Sequence, residues 1–161
     1  MRLVQILTPV LVYMSLPCFS QSSGSFSGTQ AERDSLKNTS IAIRAAFTRG
    51  DVNSILLYHH PDVTKALDYH TYQQGINSLV PGLRGTLDSF HLEFVDNNTE
   101  SLFINGQTAV EQTLFTIKGT PKEKGEPFVF KGRSMIVYVK YKGSPTGWAT
   151  IREIIQPATA K

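Results

Sequence analysis

The feature that most constrains this chain is a glycine–aspartate pair, Gly50 and Asp51, that separates two apolar segments. Gly50 suits the left-handed backbone conformation that closes many helices just beyond their last turn. Asp51 follows at once and is suited to cap a second helix, because its carboxylate accepts hydrogen bonds from the free N–H groups of a first turn. The pair therefore predicts a sharp corner between two helices, around which the rest of the chain must be arranged.

Apolar residues recur at helical spacing on both sides of this corner, which supports the two predicted helices. We expect the first helix over about residues 30–49, with Thr29 as its N-cap, and the second over about residues 51–59. Pro61 is expected to end the second helix, since proline disfavours the helical conformation in the residue before it. A third helix is predicted over about residues 76–90.

The period of the apolar residues changes to two from His91 onward, which is typical of half-buried strands. Asn105 and Gly106 both accept positive φ and predict a tight hairpin turn. A short, irregular strand is also expected over residues 62–72, before the third helix. Helices followed by a run of antiparallel strands predict the α+β class, with a curved antiparallel sheet wrapped around the N-terminal helices. The later strands are expected at residues 91–95, 100–104, 108–118, 128–141 and 148–155.

The first 20 residues have the pattern of a signal peptide. Arg2 supplies a positive charge, residues 3–16 are mostly apolar, and the residues before Gln21 favour cleavage at that point. The apolar run is short and interrupted, so we expect no stable membrane insertion after cleavage. The sequence therefore predicts export, to a periplasm or to the outside. The predicted organisation is a signal peptide at 1–20, a Ser/Gly-rich flexible tether at 21–30 and one domain at 31–157.

A lipid anchor at Cys18 is the less favoured alternative for the N-terminus, because Leu16 and Pro17 precede the cysteine where lipoprotein signals have a small residue. Cleavage before Gln21 would remove Cys18 and leave a chain without thiols or disulfides. Sixteen Lys and Arg residues against 13 Asp and Glu give a formal charge of +3 with no basic cluster, so no nucleic-acid partner is expected. No motif with metal-ligand spacing is present, and we expect neither a metal nor another cofactor.

Five short motifs follow one another in a distinctive order. They are Arg49-Gly50-Asp51-Val52, Leu56-Leu57-Tyr58, Pro61-Asp62-Val63, Gly75-Ile76 and the closing Gly147-Trp148-Ala149-Thr150-Ile151-Arg152-Glu153. Over about residues 31–156, this order resembles the SnoaL-like, nuclear transport factor-like superfamily. The resemblance implies a cone-shaped α+β fold that encloses a pocket for a small, partly apolar molecule, and it implies a homodimer. Members include isomerases, cyclases, dehydratases, hydrolases and binding modules, so the fold leaves the activity open.

The steroid isomerases of this superfamily need a carboxylate base, a tyrosine and a protonated aspartate. By position, the tyrosine would fall near Ile43 and the base on Leu67, one residue before Asp68. The aspartate would fall within Arg133–Met135, where there is no acid. The resemblance therefore does not extend to the isomerase residues, and steroid isomerase activity is not expected.

Polar and titratable side chains gather between the second and third predicted helices. Asp68 and His70 lie two residues apart, so on a strand they would share a face and could act as a general acid/base pair. Tyr58, His60 and Tyr72 are then candidate ligand contacts, with a tyrosine as hydrogen-bond donor. The competing interpretation is structural, since histidines favour helix C-termini and tyrosines are often half-buried.

Several charged residues interrupt the apolar strands of the sheet, and any of them that faces the pocket must be paired or bind a ligand. In the last strand, strict alternation places Arg152 on the same face as Trp148 and Thr150, with Glu153 on the other face. Trp148 and Arg152 are therefore candidate ligand contacts, although which face is concave stays open. The other interrupting residues are Glu111, Gln112 and Arg133.

Three classes of function remain open at this stage. The first is a binding module, and the second is a cofactor-independent lyase, isomerase or hydrolase that uses Asp68 and His70. The orientation of these two side chains separates the two classes: contact inside a closed pocket favours the enzyme, and exposure to solvent favours the binding module. The third is a structural protein that dimerises through the outer sheet, with side chains such as Phe115 filling the pocket.

Overall fold

The computed structural model describes residues 26–158, in which helices pack against one face of a single six-stranded sheet that does not close. The predicted α+β class is confirmed. The predicted signal peptide and the first half of the tether lie outside the described residues. The elements are α1 (Gln30–Arg49), α2 (Val52–Leu56), β1 (His59–Ala66), β2 (Tyr72–Gln74), α3 (Ile76–Ser89), β3 (Phe90–Asn105), β4 (Thr108–Pro121), β5 (Phe128–Lys140) and β6 (Trp148–Pro157).

The predicted corner between the first two helices is confirmed. Gly50 takes a left-handed conformation with φ of 69° and closes α1. The Asp51 carboxylate accepts a hydrogen bond from the Ser54 N–H at 3.0 Å and caps α2. At the other end of α1, Thr29 and Glu32 form a capping box, in which each side chain accepts a hydrogen bond from the backbone N–H of the other. Local side-chain chemistry therefore sets both ends of the first helix.

The second helix is shorter than predicted, because α2 ends at Leu56 and His59 already belongs to β1. The Tyr58 carbonyl accepts a hydrogen bond from the Thr150 N–H at 2.9 Å, and His59 lies opposite Thr150 in the sheet. This pairing with a distant strand outcompetes the local helical pattern. Pro61 lies inside β1, in the section where the register against β6 is irregular, so its missing N–H costs no regular ladder bond.

The strand order is β2-β1-β6-β5-β4-β3, and β1 runs parallel to β6 while the other neighbours are antiparallel. The sheet is therefore mixed rather than wholly antiparallel. β3 is one strand of 16 residues where two shorter strands were expected. Val95 and Glu100 are extra residues in its register against β4, so each marks a bulge. Because bulges bend a strand and increase its twist, they help to curve the sheet around the helices.

The buried side chains form two clusters joined by α1. Leu36, near the start of α1, packs in the first cluster, and Ala46, near its end, packs in the second. The other members of the first cluster are Ile104, Ala109, Tyr138 and Trp148, and those of the second are Ile55, Leu87 and Leu92. Ile136 packs against the first cluster and Phe47 against the second, and both line a cavity.

The described part of the predicted tether packs against β3. The ring of Phe26 stacks on that of Phe103 with a centroid distance of 4.6 Å. The Phe26 carbonyl also accepts a hydrogen bond from the Ile104 N–H at 2.7 Å. The ordered domain therefore begins before α1. Within residues 26–158, no helix combines the length and the apolar character needed to cross a bilayer.

Candidate functional site

The helices and the inner face of the sheet enclose a cavity of about 360 Å³. One side is a stripe along α1 made of Ser40, Ile43, Arg44 and Phe47, which are spaced so that they share one helical face. This size is at the lower end of the range for small-molecule sites in proteins. The stripe brings one charged residue, Arg44, into a lining that is otherwise largely apolar.

Alternate residues of β4 and β5 form the opposite wall of the cavity. β4 contributes Thr113, Phe115 and Ile117, and β5 contributes Ser134, Ile136 and Tyr138. Thr113 and Ser134 are direct partners across the two strands. The wall therefore has two neighbouring hydroxyl-bearing positions surrounded by apolar side chains.

A bulge in β6 decides which of its charged residues faces the cavity. Thr150 pairs with Tyr138 and Arg152 with the preceding residue of β5, so Ile151 is an extra residue. As a result, Thr150 and Glu153 both line the cavity, although strict alternation puts them on opposite faces. Arg152 is exposed instead, and its guanidinium donates to the backbone carbonyls of Asp62 at 3.0 Å and Ile151 at 2.7 Å.

The cavity contains a nearly buried ion pair between the last strand and the first. Lys65 Nζ lies 2.6 Å from Glu153 Oε2, and the two side chains are 13% and 14% exposed. The two residues are direct partners in the parallel register between β1 and β6. Each charge therefore compensates the other where little water is present to do so.

His59 adds a neutral polar group to the cavity. Its Nδ1 lies 2.8 Å from the Ile55 carbonyl, so Nδ1–H donates there and Nε2 is left as a hydrogen-bond acceptor. Burial, and to a smaller extent the charge of Lys65, lowers the pKa of His59 to about 3. The imidazole is therefore uncharged at neutral pH and is a weak base.

Hydrogen-bonded polar groups lie in the cavity wall and behind it in the core. Arg44 Nη1 donates to Ser40 Oγ at 2.5 Å, and Tyr138 also lines the cavity. Tyr138 donates to Glu111 Oε2 at 3.0 Å, and Thr99 donates to the other carboxylate oxygen at 2.8 Å. Burial first, and then the charge of Glu111, raises the pKa of Tyr138 well above its ordinary value. The phenol therefore stays protonated and acts as a donor.

Thr113 carries a buried hydroxyl that lacks a hydrogen-bond partner. Its side chain lines the cavity, the residue is 4% exposed, and no other group in residues 26–158 bonds to Oγ1. A buried hydroxyl without a hydrogen-bond partner lowers the free energy of unfolding by about 1–3 kcal/mol. A polar atom of a ligand could satisfy it.

The candidate acid/base pair, Asp68 and His70, lies on the exposed loop between β1 and β2. Asp68 Oδ1 accepts hydrogen bonds from the backbone N–H groups of His70 and Thr71, each at 2.7 Å. Hydrogen bonds from the Thr71 hydroxyl and these two N–H groups lower the pKa of Asp68. The His70 imidazole packs edge-on against the ring of Tyr69, with centroids 5.1 Å apart. The carboxylate thus closes a local turn and bonds to the backbone of His70 rather than to its ring.

The five candidate ligand contacts also lie outside the cavity lining. Tyr72 is 65% exposed, Tyr58 is half-buried, and the His60 ring packs against that of Tyr141. Trp148 is fully buried in the first core cluster, and Arg152 is on the surface. None of the seven predicted site residues is among the residues that line the cavity.

The positions that correspond to the isomerase residues do reach the cavity. Ile43, Leu67 and Ser134 all line it, but they supply two apolar side chains and a hydroxyl where the isomerases have a tyrosine and two acids. Sequence reasoning missed Arg44, although its spacing from the apolar residues of α1 was a usable signal. It also missed the role of His59, which was assigned to the end of a helix.

The described residues contain no cluster of side chains suited to bind a metal ion. No group of three or more His, Cys, Asp or Glu side chains between residues 26 and 158 is arranged to hold an ion. The cavity lining is instead a mixture of apolar side chains, hydroxyls, the amides of Gln73 and Asn97, one ion pair, one arginine and one neutral imidazole.

Solved structures with the same architecture come from several bacteria. A ketosteroid isomerase-like protein from Erwinia carotovora atroseptica SCRI1043 superimposes with a TM-score of 0.69 at 14% identity, covering 82% of this chain and 100% of that one. A nuclear transport factor 2-like superfamily protein from Salmonella enterica serovar Typhimurium gives a TM-score of 0.66 at 13% identity, covering 81% and 93%. The chain has the nuclear transport factor 2-like fold.

A third similar structure is that of a conserved protein from Planctomyces limnophilus DSM 3776. It superimposes with a TM-score of 0.72 at 15% identity and covers 81% of this chain and 100% of that one. Neither a protein-family model nor a curated protein sequence matches the chain. At such low identities the likeness establishes the fold, and the function has to be argued from the site.

Proposed function

We propose that this protein is an exported binding protein that holds a small, partly apolar molecule in its cavity without transforming it. The observation that carries the proposal is the cavity itself, with a volume of about 360 Å³ and a mostly apolar lining that contains a few polar groups. Such a composition is typical of ligand sites, where apolar contacts supply affinity and a few polar groups fix the orientation. The unpartnered hydroxyl of Thr113 also favours an occupant with a polar atom.

The titratable groups of the cavity favour binding over proton transfer. His59, with a pKa of about 3, is too weak a base to accept a proton efficiently near neutral pH. Lys65 and Glu153 neutralise each other in an ion pair. Asp68 and His70 lie on an exposed loop, where the Asp68 carboxylate accepts a hydrogen bond from the backbone N–H of His70. The alternative, a cofactor-independent lyase, isomerase or hydrolase, is supported by the names of several structural neighbours, among them a ketosteroid isomerase-like protein and a putative dehydratase from Streptomyces avermitilis.

A neutral fluorescent probe tests the proposed binding. N-phenyl-1-naphthylamine is expected to bind saturably, near one molecule per chain, with an increase in fluorescence because the cavity excludes water. Ser134→Phe places a large ring in the cavity, whereas Met135→Phe places it on the opposite face of the same strand as a control. We expect Ser134→Phe to abolish saturable binding and Met135→Phe to retain it. Equal binding by both variants, or no saturable binding by the wild type, would contradict the proposal, provided that circular dichroism shows folded proteins.

We also propose that the protein is a homodimer that pairs through the outer face of the sheet. This face exposes Phe103, Leu114, Met135 and Ile154, which are 41%, 37%, 47% and 60% exposed, on neighbouring strands. Exposed apolar surface of this kind often marks an interface. Light scattering during size exclusion is expected to give the mass of two chains for the wild type and of one chain for Met135→Glu. A monomeric wild type at micromolar concentration would rule out this dimer.

Export is proposed from the predicted signal peptide at residues 1–20. Expression of the full chain in a bacterial host is expected to yield a protein outside the cytoplasm that begins at Gln21. Intact-mass measurement of the fractionated protein tests this. A mass that includes residues 1–20, found in the cytoplasm, would contradict export, and a lipid-modified Cys18 would favour the anchored alternative.

A further inference from the structure

Arg44 places a positive charge in the cavity without a carboxylate to pair with. It lies on the cavity-facing stripe of α1 and is half-buried. No carboxylate oxygen in residues 26–158 lies within 4.0 Å of its guanidinium, and its hydrogen-bond partner is the Ser40 hydroxyl. A guanidinium has five N–H donors, so this single bond leaves most of them available.

The hydrogen bond to Ser40 holds the guanidinium in position but does not cancel its charge, because Arg44 donates to a neutral hydroxyl. The Glu111 carboxylate accepts hydrogen bonds from Tyr138 and Thr99 and lies more than 4.0 Å from the Arg44 guanidinium. Glu111 is also absent from the cavity lining. Arg44 is thus held by a neutral hydroxyl and can bind an anion.

The other charged groups of the lining cancel. Lys65 and Glu153 form a close ion pair, and His59 is neutral because burial lowers its pKa to about 3. The net charge of the cavity lining is therefore one positive charge, which Arg44 contributes. In a largely apolar enclosure, one uncompensated positive charge favours a ligand with one negative charge.

The apolar part of the lining indicates the rest of the ligand. Aromatic rings from three elements, Phe47, Phe94 and Phe115, border the cavity together with aliphatic side chains such as Ile117. A flat or cyclic apolar body suits rings of this kind, because aromatic pairs gain from offset or edge-on contacts. A planar guanidinium matches a carboxylate through two parallel N–H···O bonds. A phosphate, which carries up to two charges at neutral pH, would exceed the single positive charge available.

We propose that the ligand is a small amphipathic monocarboxylate with a cyclic or aromatic apolar body, whose carboxylate binds Arg44. The inference rests on the proposed binding function and specifies the class of molecule that the cavity selects. Arg44 is the residue that determines this selectivity, while the apolar lining binds acids and their neutral analogues alike.

Three matched probes test the selectivity: 2-naphthoate, 2-naphthamide and 2-naphthyl phosphate, titrated at pH 7 as competitors of N-phenyl-1-naphthylamine. We expect 2-naphthoate to bind the wild type about tenfold or more tightly than the amide, since a charge-assisted pair is worth more than a neutral hydrogen bond. We expect 2-naphthyl phosphate to bind more weakly than 2-naphthoate. Arg44→Gln should abolish the preference for the acid over the amide, and Arg44→Lys should retain part of it.

Arg84→Gln is the matched control, because it removes an equal charge from an exposed site on α3 outside the cavity lining. This control should keep the full preference for the acid. Equal affinities for acid and amide in the wild type, or an unchanged preference in Arg44→Gln, would overturn the inference while leaving the binding function intact. If the naphthyl probes and N-phenyl-1-naphthylamine bind Ser134→Phe as well as the wild type, the proposed binding site itself fails. A preference for the phosphate would overturn the carboxylate assignment.

Discussion

Replacing Thr113 by valine isolates the energetic cost of the stranded hydroxyl in the cavity wall. Threonine and valine have nearly the same shape, so the substitution removes a polar atom and leaves the packing almost unchanged. The hydroxyl is buried, at 4% exposure of the residue, and lacks a hydrogen-bond partner in residues 26–158. Thr113→Val should therefore stabilise the ligand-free protein, although most substitutions in a protein interior destabilise it.

The size of the effect follows from the desolvation of the hydroxyl. An unpaired buried hydroxyl costs about 1–3 kcal/mol, of which we expect valine to recover about 1–2 kcal/mol. In a domain of this size, that gain raises the unfolding temperature by roughly 3–8 °C. Because a ligand is proposed to use the same hydroxyl, Thr113→Val should also weaken the binding of a ligand that bonds to it.

Thr39→Val is the matched control for this prediction. Thr39 is fully buried, and its hydroxyl donates to the Ser35 carbonyl at 3.0 Å and lies 2.6 Å from the Thr146 hydroxyl. The same substitution there removes satisfied hydrogen bonds and should lower the free energy of unfolding by about 1–2 kcal/mol. Urea unfolding, followed by circular dichroism and by the fluorescence of Trp148, measures both variants. If Thr113→Val destabilises the protein as much as Thr39→Val does, the hydroxyl of Thr113 is bonded in the native state and the reasoning fails.

Two further predictions concern the polar groups of the cavity. The pKa of His59 is lowered from 6.5 to about 3 on folding, so below pH 6.5 the unfolded chain gains a proton that the folded protein excludes. The free energy of unfolding should therefore fall with decreasing pH by up to about 1.4 kcal/mol per pH unit. Urea unfolding between pH 7 and pH 5 should show a shallower fall for His59→Asn than for the wild type, and an equal fall would argue against a neutral buried imidazole. Glu153→Gln leaves the Lys65 ammonium without its partner and should lower the free energy of unfolding by about 3 kcal/mol. The double variant that also carries Lys65→Met should recover part of this loss of stability. If the losses of the two single variants add strictly in the double variant, the two charges do not interact.

Much of the fold could be predicted because it depends on local signals. Gly50, Asp51 and Thr29 cap helices with their own backbone or side-chain chemistry, and Gly106 forms the predicted hairpin turn with φ of 57°. Each of these residues acts on neighbours within a few positions. The helix and strand bounds that rest on them therefore agree with the sequence to within a few residues.

The predictions that failed depended on distant backbone pairing. The second helix was predicted to reach His59. No local signal shows that the Tyr58 carbonyl, just before His59, accepts a hydrogen bond from the distant Thr150 N–H. The same pairing makes β1 and β6 parallel and brings Lys65 to Glu153. Ion pairs and strand partners of this kind depend on the assembled sheet, and a single sequence carries little trace of them.

The candidate site was predicted from a cluster of polar residues that the structure places outside the cavity lining. Asp68 and His70 belong to a turn that the aspartate stabilises through backbone N–H groups, a common role for this residue type. The residues that line the cavity are scattered over α1, α3 and the sheet, so their common location is visible only in the fold. The helical spacing of Ser40 and Arg44 along α1 was a signal that the sequence-based prediction did not use.

The extra residue in β6 has a consequence for any alignment of this chain with its relatives. Ile151 shifts the alternation of the strand by one, so that Glu153 rather than Arg152 reaches the cavity. In a relative whose strand lacks the extra residue, the equivalent of Glu153 lies one position earlier along the chain. An alignment without a gap at Ile151 would then match an inward-facing side chain with an outward-facing one, and a site residue transferred through it would fall on the wrong side of the sheet.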